Sequence, residues 1–422
     1  MHNSVADLIQ SFGYDHGEIV ARYGDFFAKS VFHPIFSLNH QRAIGLEALV
    51  RIRDDAGQYI SPPAFFEKFS SLEQAIFVDR LVRTLHLANF AALDFKGWIF
   101  INVNPRVFEK AKEDWTFLER LFAHFRVPIS QLVIEVLEGT LDDAAALDSL
   151  SKFQSSGCLV AVDDFGAGFS NFDRIWQIRP DIVKLDRKMI VDAVRNITIR
   201  RSLPILVSLL HQAGCLVVAE GIEREEEGLI MMDAGVDLGQ GFLFTKPFSI
   251  MEPNPIDIAA VRQLLITFRK NAVVQEACVK TELMIYEQEL RNVAARLLRG
   301  EPVQTATASL CNLPRVMRFY LLNADGDQRD HNLDFQQGGS AVDPRFSPLV
   351  DAKGACWFHR PYFRNALANP NRIQISRPYF SVSDAHLCIT LSLAIELEGR
   401  MTVLCLDLNE LFESAPCTRI AR

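Results

Sequence analysis

Two adjacent carboxylates, Asp163 and Asp164, stand in the stretch AVDDFGAG, residues 161–168. They follow an apolar run, GCLVAV, and precede a glycine-rich segment, FGAGFSN. The pattern predicts a buried strand that ends in charge, then a loop free to move over it. Adjacent strand residues point to opposite faces. At a strand's last residue, where the chain turns, both carboxylates can reach one centre. Two crowded carboxylates raise each other's proton affinity, and a divalent cation removes that cost. Taken alone, the four residues 163–166 fit a helix N-cap and a solvated turn equally well.

The elements around this stretch predict how it is positioned. Residues 1–25 read as a short leader with helical character. SVFHPIFSL, a turn at Asn39-His40 and a second strand through Glu47 make a hairpin. Pro34 places the first of these strands at an edge or an end. A long helix is expected from Pro63 to Leu93, and another over roughly 190–213. Between the helical stretches lie GWIFINVN, SQLVIEVLE, CLVAVDD, DIVKLD, CLVVAEGI and LGQGFLFTKP. Apolar strands separated by amphipathic helices mean parallel βα units. About eight strands fit a (β/α)8 TIM-like barrel, here with one antiparallel strand from the opening hairpin. Active sites of such barrels form at the C-terminal ends of the strands. Standing there are Glu47, Asn102, Glu135, Asp163 with Asp164, Lys184, Glu220 and Gln240. Each has a bland explanation singly: Glu135 could cap a helix, and Asn102 could turn a loop. Lys184, between Val183 and Leu185, needs a partner or a function. One lysine cannot neutralise five converging carboxylates, so at least one divalent ion is inferred, and two are expected.

These blocks resemble the EAL family of cyclic di-GMP phosphodiesterases. The tripeptide Glu47-Ala48-Leu49 lies in GLEALVR. FINVNP carries Asn102, EVLE carries Glu135 and Glu138, and the Asp-Asp-Phe-Gly loop is Asp163 to Gly166. DIVKLD carries Lys184 and Asp186, AEGIE carries Glu220 and Glu223, and QGFLFTKP carries Gln240. The resemblance covers residues 28–250, in family order. It implies that Glu47, Asn102, Glu135 and Asp163 hold one metal, and that Asp163, Asp164 and Glu220 hold a second. Magnesium or manganese suits an all-oxygen ligand set, and calcium is expected to inhibit. It further implies Lys184, Glu220 and Glu47 as catalytic residues, with Lys184 orienting the attacking water. Arg51 would grip a substrate phosphate, Gln240 would bind near it, and Glu138 would anchor the loop after Asp164. The chain departs from the family pattern at His33, where glutamine is usual, and at Asn104, where serine is common. It departs again at Ala167 and Phe169, each lacking a hydroxyl.

After Pro247 the pattern changes. Residues 251–300 read as a helical connector, one long helix or two in succession, either at a dimer seam or packed on its own barrel. Residues 301–412 read as an α+β domain that resembles PAS or Cache sensors, with Arg-Pro-Tyr-Phe at 360–363 and again at 377–380. The resemblance implies a small-molecule or signal input, with Arg360 or Tyr379 in the pocket. Dimerisation alone is the other reading of this domain. Residues 1–250 would be the barrel domain, and the tail ESAPCTRIAR is expected to be loose.

Composition bounds the rest. Hydrophobic content is 49% and charged content 23%, as in soluble globular proteins. No apolar run reaches the ~20 residues of a membrane helix, and the first residues lack a signal-peptide pattern. The eight cysteines show no zinc spacing and suit buried thiols in a reducing cytoplasm. A net charge of −8 argues against bulk nucleic-acid binding. The expectation is a cytoplasmic, homodimeric enzyme giving linear pGpG, regulated by its C-terminal domain. The alternative is a catalytically silent cyclic di-GMP receptor that signals through a protein partner. No cyclase half accompanies it.

Overall fold

The computed structural model describes residues 4–104, 107, 114–138, 144–168, 172–252, 256–335, 349, 351–382 and 386–409. The chain divides into two compact units, Met1–Arg269 and Lys270–Arg422. No helix among the described residues is long and apolar enough to cross a membrane. The seven cysteines described are all free; Cys158, Cys215, Cys388 and Cys405 are buried, and three are exposed.

In the first unit the strands are β1 (Phe12–Asp15), β2 (Glu18–Tyr23), β3 (Phe26–Ser37), β4 (Arg42–Asp54) and β5 (Tyr59–Ile60). They continue as β6 (Trp98–Asn102), β7 (Leu132–Leu137), β8 (Leu159–Phe165), β9 (Ile182–Leu185), β10 (Leu216–Ala219) and β11 (Leu238–Gly239). Strands β4 and β6 to β11 run parallel in order. Strand β3 lies antiparallel to both β4 and β11 and closes eight strands into a barrel. The TIM-like barrel with one antiparallel strand is therefore the observed fold.

Strand periodicity sorts the barrel's side chains. Outward residues such as Ile99, Ile101, Ile134, Val160, Val183 and Val217 join the helices in the main core. Inward residues Ile35, Phe100, Val133, Ala161, Ile182, Val218 and Leu238 form a separate apolar cluster inside the barrel. Gly45 is the matching position on β4, and a Cβ there would come within 2.5 Å of the Phe100 ring. A glycine leaves the space that this ring fills.

Several expectations need correction. Residues 4–25 are not a leader: after a helix at Val5–Ile9, β1 and β2 extend the sheet beyond β3. Strand β3 is interior, not an edge. Phe32 exchanges backbone hydrogen bonds with Phe248, at 2.8 and 2.9 Å, and Phe36 pairs with Gly239. Pro34, two residues from each, turns its missing N–H into the gap between those pairings, where no ladder bond is lost. The expected helix from 63 to 93 is two, Pro62–Phe66 and Leu72–Ala92, the second capped by Ser71 Oγ accepting from Gln74 N–H. The expected helix over 190–213 is also two, Arg187–Arg195 and Ile197–Gln212. Asn196 breaks it by taking an extended conformation and accepting from Thr198 N–H at 2.9 Å.

A buried histidine braces the barrel. His86, on helix Leu72–Ala92, lies 2.8 Å from Ser30 Oγ through Nδ1. Burial pushes its pKa down to about 3, and the Arg51 charge adds to the effect. A depressed histidine gives stability above its unfolded value of 6.5, and that stability is lost as pH falls toward 3. His86→Gln should therefore lower stability at pH 7 but flatten its decline on acidification. Urea midpoints of both proteins at pH 7 and pH 5 check this, and a pH-independent difference would contradict it.

Helix Ala259–Leu298 is continuous, which resolves the connector as one helix. Its residues Leu283, Tyr286, Leu290, Val293 and Leu297 belong to the core of the second unit. That unit holds β12 (Val316–Leu322), β13 (Leu333–Asp334), β14 (Gln374–Ile375), β15 (Tyr379–Phe380), β16 (Leu387–Leu397) and β17 (Arg400–Asn409). The antiparallel order is β13-β12-β17-β16-β14, with β15 also on β16. The turn after β12 is set by Asn323 Oδ1, which accepts from the N–H groups of Asp325 and Asp327. Residues 413–422 lie outside the described set.

Candidate functional site

Moving two residues along each strand from the apolar cluster reaches a polar ring. Phe100 leads to Asn102, Val133 to Glu135, Ala161 to Asp163, Ile182 to Lys184, Val218 to Glu220 and Leu238 to Gln240. Gly45 leads to Glu47. On the antiparallel strand the count reverses, and Ile35 leads back to His33, the register partner of Glu47. The period of two along a strand thus turns eight separate residues toward one end of the barrel.

Lys184 is at the centre, with 0% exposure. Its Nζ lies 3.8 Å from Glu47 Oε1 and 3.1 Å from Asp163 Oδ1, and pairs closely with Glu135 Oε1 and Glu220 Oε1. Asn102 Nδ2 donates to Glu47 Oε1 at 3.3 Å, and Gln240 Nε2 to Glu47 Oε2 at 2.7 Å. Four carboxylates share one ammonium, which leaves three negative charges uncompensated when all are ionised. Burial pushes Glu220 up to about 8, with Lys184 opposing and Asp163 and Glu47 adding. Burial drives Glu135 well upward in the same way. Burial also disfavours the Lys184 ammonium, but the carboxylates together keep its pKa well above the ordinary value.

The donor set fits a divalent metal. Glu135 Oε1 and Oε2, Asp163 Oδ1 and Glu220 Oε1 are buried oxygens for which the Lys184 ammonium is the one cation at hand among the described residues. One oxygen from each of Glu135, Asp163 and Glu220 falls within 4.8 Å of the others. Oxygen-only donors of this kind suit hard cations. Asp164 lies outside that trio and is exposed. It has φ of 56°, and the register of β8 on β9 breaks between Val162 and Phe165. A left-handed aspartate at a bulge re-aims the strand end. Burial and the neighbouring Asp163 charge both raise the pKa of its carboxyl.

The remaining candidates lie around the ring. Arg51 is half-buried on β4, two pleats beyond Glu47 on the same face, and burial lowers its pKa while Glu47 opposes that. Glu138 is buried after β7, and its carbonyl accepts from Arg174 Nη1 at 2.6 Å. Of the loop it was expected to anchor, residues 169–171, Phe169 among them, lie outside the described residues. Ala167 N–H donates to the Asp164 carbonyl at 3.1 Å, and Asn104 N–H donates to Asp79 Oδ1 at 3.3 Å. Asp186 caps the helix Arg187–Arg195, and Glu223 pairs with Arg187.

His33 was legible only as a departure from the family, yet it completes the ring. Its Nε2 donates to the Thr245 carbonyl at 3.1 Å, and its ring centroid lies 5.9 Å from that of Phe242. Burial lowers its pKa. Phe242 itself is half exposed and carried no signal beyond its place in QGFLF.

The family model for the EAL domain matches residues 27–247, more than half of the chain and every residue of this ring. The chain belongs to the EAL domain family. The EAL barrel is 29% identical to the cyclic di-GMP phosphodiesterase RocR of Pseudomonas aeruginosa over 253 residues. That alignment covers 58% of this chain and 60% of RocR, so the chain spans less than two thirds of that relative. The Bacillus subtilis YkuI protein, an EAL protein solved with cyclic di-GMP and calcium, superposes with a TM-score of 0.75 at 22% identity. The match covers 91% of this chain and 97% of YkuI, and it shows a shared fold. The EAL enzyme Bd1971, in a form binding cAMP and cyclic di-GMP, gives a TM-score of 0.50 at 25% identity, covering 54% and 63% of the two chains.

Proposed function

We propose that this EAL protein hydrolyses cyclic di-GMP to linear pGpG with the help of divalent metal. One observation carries the reading: four strand-end carboxylates crowd a single buried lysine, more negative charge than that one ammonium offsets. The cyclic di-GMP phosphodiesterase name of RocR supports the substrate. Glu47, Asn102, Glu135 and Asp163 would hold one ion, and Asp163, Asp164 and Glu220 a second, either magnesium or manganese. Such ions supply an electrophile for phosphoryl oxygens and lower the pKa of a water.

The chain's own groups do the rest. Arg51 holds a substrate phosphate by its charge. Gln240, fixed on Glu47, keeps that carboxylate oriented and offers hydrogen bonding beside the phosphate. With a single ion bound, Glu220 would be the carboxylate that takes a proton from the attacking water. Lys184 orients that water and offsets charge developing on phosphorus. One phosphorus–oxygen bond forms and one breaks, and the proton passes to the departing sugar oxygen. Glu138 braces the loop after Asp164. The C-terminal unit, read as PAS- or Cache-like, would regulate the barrel, with a homodimer in the cytoplasm as the working form.

Hydrolysis is expected with magnesium or manganese and suppressed by calcium, whose looser coordination suits the reaction poorly. Chromatographic assay of pGpG formation tests this, with Glu47→Ala as the control. Equal rates for the two proteins would refute the reading. His33, in place of the family's glutamine within the ring, favours the second reading, a silent receptor. Tight binding of cyclic di-GMP without turnover under either metal would establish that one.

A further inference from the structure

The barrel's sheet continues past the catalytic ring. Side chains alternate along β4, so Arg51 and Arg53 share the face of Glu47. Arg53 stands about 20 Å along the strand from Glu47, at about 3.3 Å per residue. Register carries that face across the neighbouring strands: Arg53 pairs with Phe27 of β3, and Phe27 with Arg22 of β2. The two guanidinium groups flank one ring, with Arg22 5.0 Å and Arg53 5.7 Å from the Phe27 centroid. With Gly13 and Asp15 of β1 they line a cavity of about 650 Å³.

The lining is basic although the chain as a whole is acidic. It carries two guanidinium groups against one carboxylate, Asp15, in a chain of net charge −8. Arg22 Nε donates to the Gly24 carbonyl at 3.2 Å, and its Nη2 lies 3.6 Å from Asp55 Oδ1. Arg53 Nη2 donates to Asp15 Oδ2 at 2.9 Å. Ion pairs this exposed contribute little, so a phosphate dianion, which meets a guanidinium along two parallel hydrogen bonds, can take their place. Gly13 keeps the cavity open. It is the register partner of Val20, two residues before Arg22 on the same face. Its φ is not left-handed, and a Cβ there would meet only Val20, at 3.9 Å. The backbone therefore has no need of glycine at that position, whereas any larger side chain would occupy the cavity.

We propose that this cavity binds a nucleotide with a free terminal phosphate, at a site separate from the catalytic ring. Arg22 and Arg53 divide the recognition between them: one takes the phosphate, and the other, backed by Phe27, stacks on the base. Guanidinium planes serve both tasks. The volume lies within the range of about 300–1,000 Å³ in which small organic ligands are held. A simple inorganic anion would leave most of it unfilled, and a cation would face two like charges. Hydrolysis in the barrel would release a ligand of this class, so the linear dinucleotide as source rests on the function proposed above. A mononucleotide is the other source of the same chemistry.

Titration calorimetry of the full chain in chelator tests this, with GMP and linear pGpG as probes and inorganic phosphate and guanosine as controls. Expected is saturable binding of one or both nucleotides, at least about tenfold tighter than either control. Tighter binding of pGpG than of GMP assigns the site to the dinucleotide, and equal binding assigns it to the mononucleotide unit that both share. Arg22→Gln and Arg53→Gln should each weaken binding at least about tenfold. Gly13→Leu, which leaves both charges in place, should weaken it by filling the cavity. Asp163→Asn should lose hydrolysis yet keep this binding, so the two readings fail separately. No saturable binding of either nucleotide, affinity no better than that of the controls, or unchanged affinity in the three cavity variants would overturn the proposal. So would binding that is lost in Asp163→Asn and kept in both arginine variants, which would place the ligand on the catalytic ring. If a variant does not fold, as judged by circular dichroism, the remaining variants and the wild-type panel decide.

Discussion

Asp163→Asn is expected to cut hydrolysis of cyclic di-GMP by about 10³-fold or more while leaving the barrel folded. The substitution keeps shape and volume but removes one charge from the most crowded part of the ring. Asp163 Oδ1 is buried and lies 3.1 Å from Lys184 Nζ. An amide there can neither share a divalent ion on equal terms nor offset the lysine. Glu135 and Glu220 would be relieved of a like charge, since Asp163 raises the pKa of both. The metal-free variant should therefore melt no lower than the wild type. Turnover under saturating magnesium, read beside the unfolding midpoint in chelator, separates the two effects. Activity within tenfold of wild type would remove Asp163 from the machinery.

Lys184→Met should have the largest effect on stability. It removes the cation within 4 Å of four carboxylates and leaves them facing one another in a buried site. Breaking a buried charge pair on one side costs about 3–5 kcal/mol. The loss should appear in chelator as a lower urea midpoint and shrink as magnesium is added, because an ion that binds only the folded state stabilises it. Unchanged midpoints in chelator would mean that the carboxylates shed their charge entirely by taking up protons. The variant should also lose activity, but the metal-dependent rescue of its fold is the sharper readout, since a purely catalytic lysine would not produce it.

The ring was legible because strand parity is a sequence property. Glu47, Asn102, Glu135, Asp163, Lys184, Glu220 and Gln240 each end an apolar run, and parallel βα units place those ends together. His33 escaped because its strand runs the other way, so its inward residue comes before the apolar one rather than after. Pro34 misled for a related reason: its missing N–H reads as an edge signal, yet the interior strand has a gap in its ladder at that point. The breaks at Ser71 and Asn196 were not legible from apolar spacing, which continues across both, and they depend on caps that only local geometry reveals. The paired Arg-Pro-Tyr-Phe segments were visible as repeats, but their meeting through Tyr362 and Tyr379 follows from the long return through β14 and β15 onto β16.

Because the apolar cluster inside the barrel and the charged layer above it occupy alternate positions, mutation can alter one without touching the other. A lineage that exchanged Glu135 or Asp163 for a neutral residue would keep Val133 and Ala161 beneath them, and with them its folded shape. Descendants that had given up turnover would then remain superposable on those that retained it. Kinship of shape among such proteins therefore carries no record of chemistry; eight side chains do.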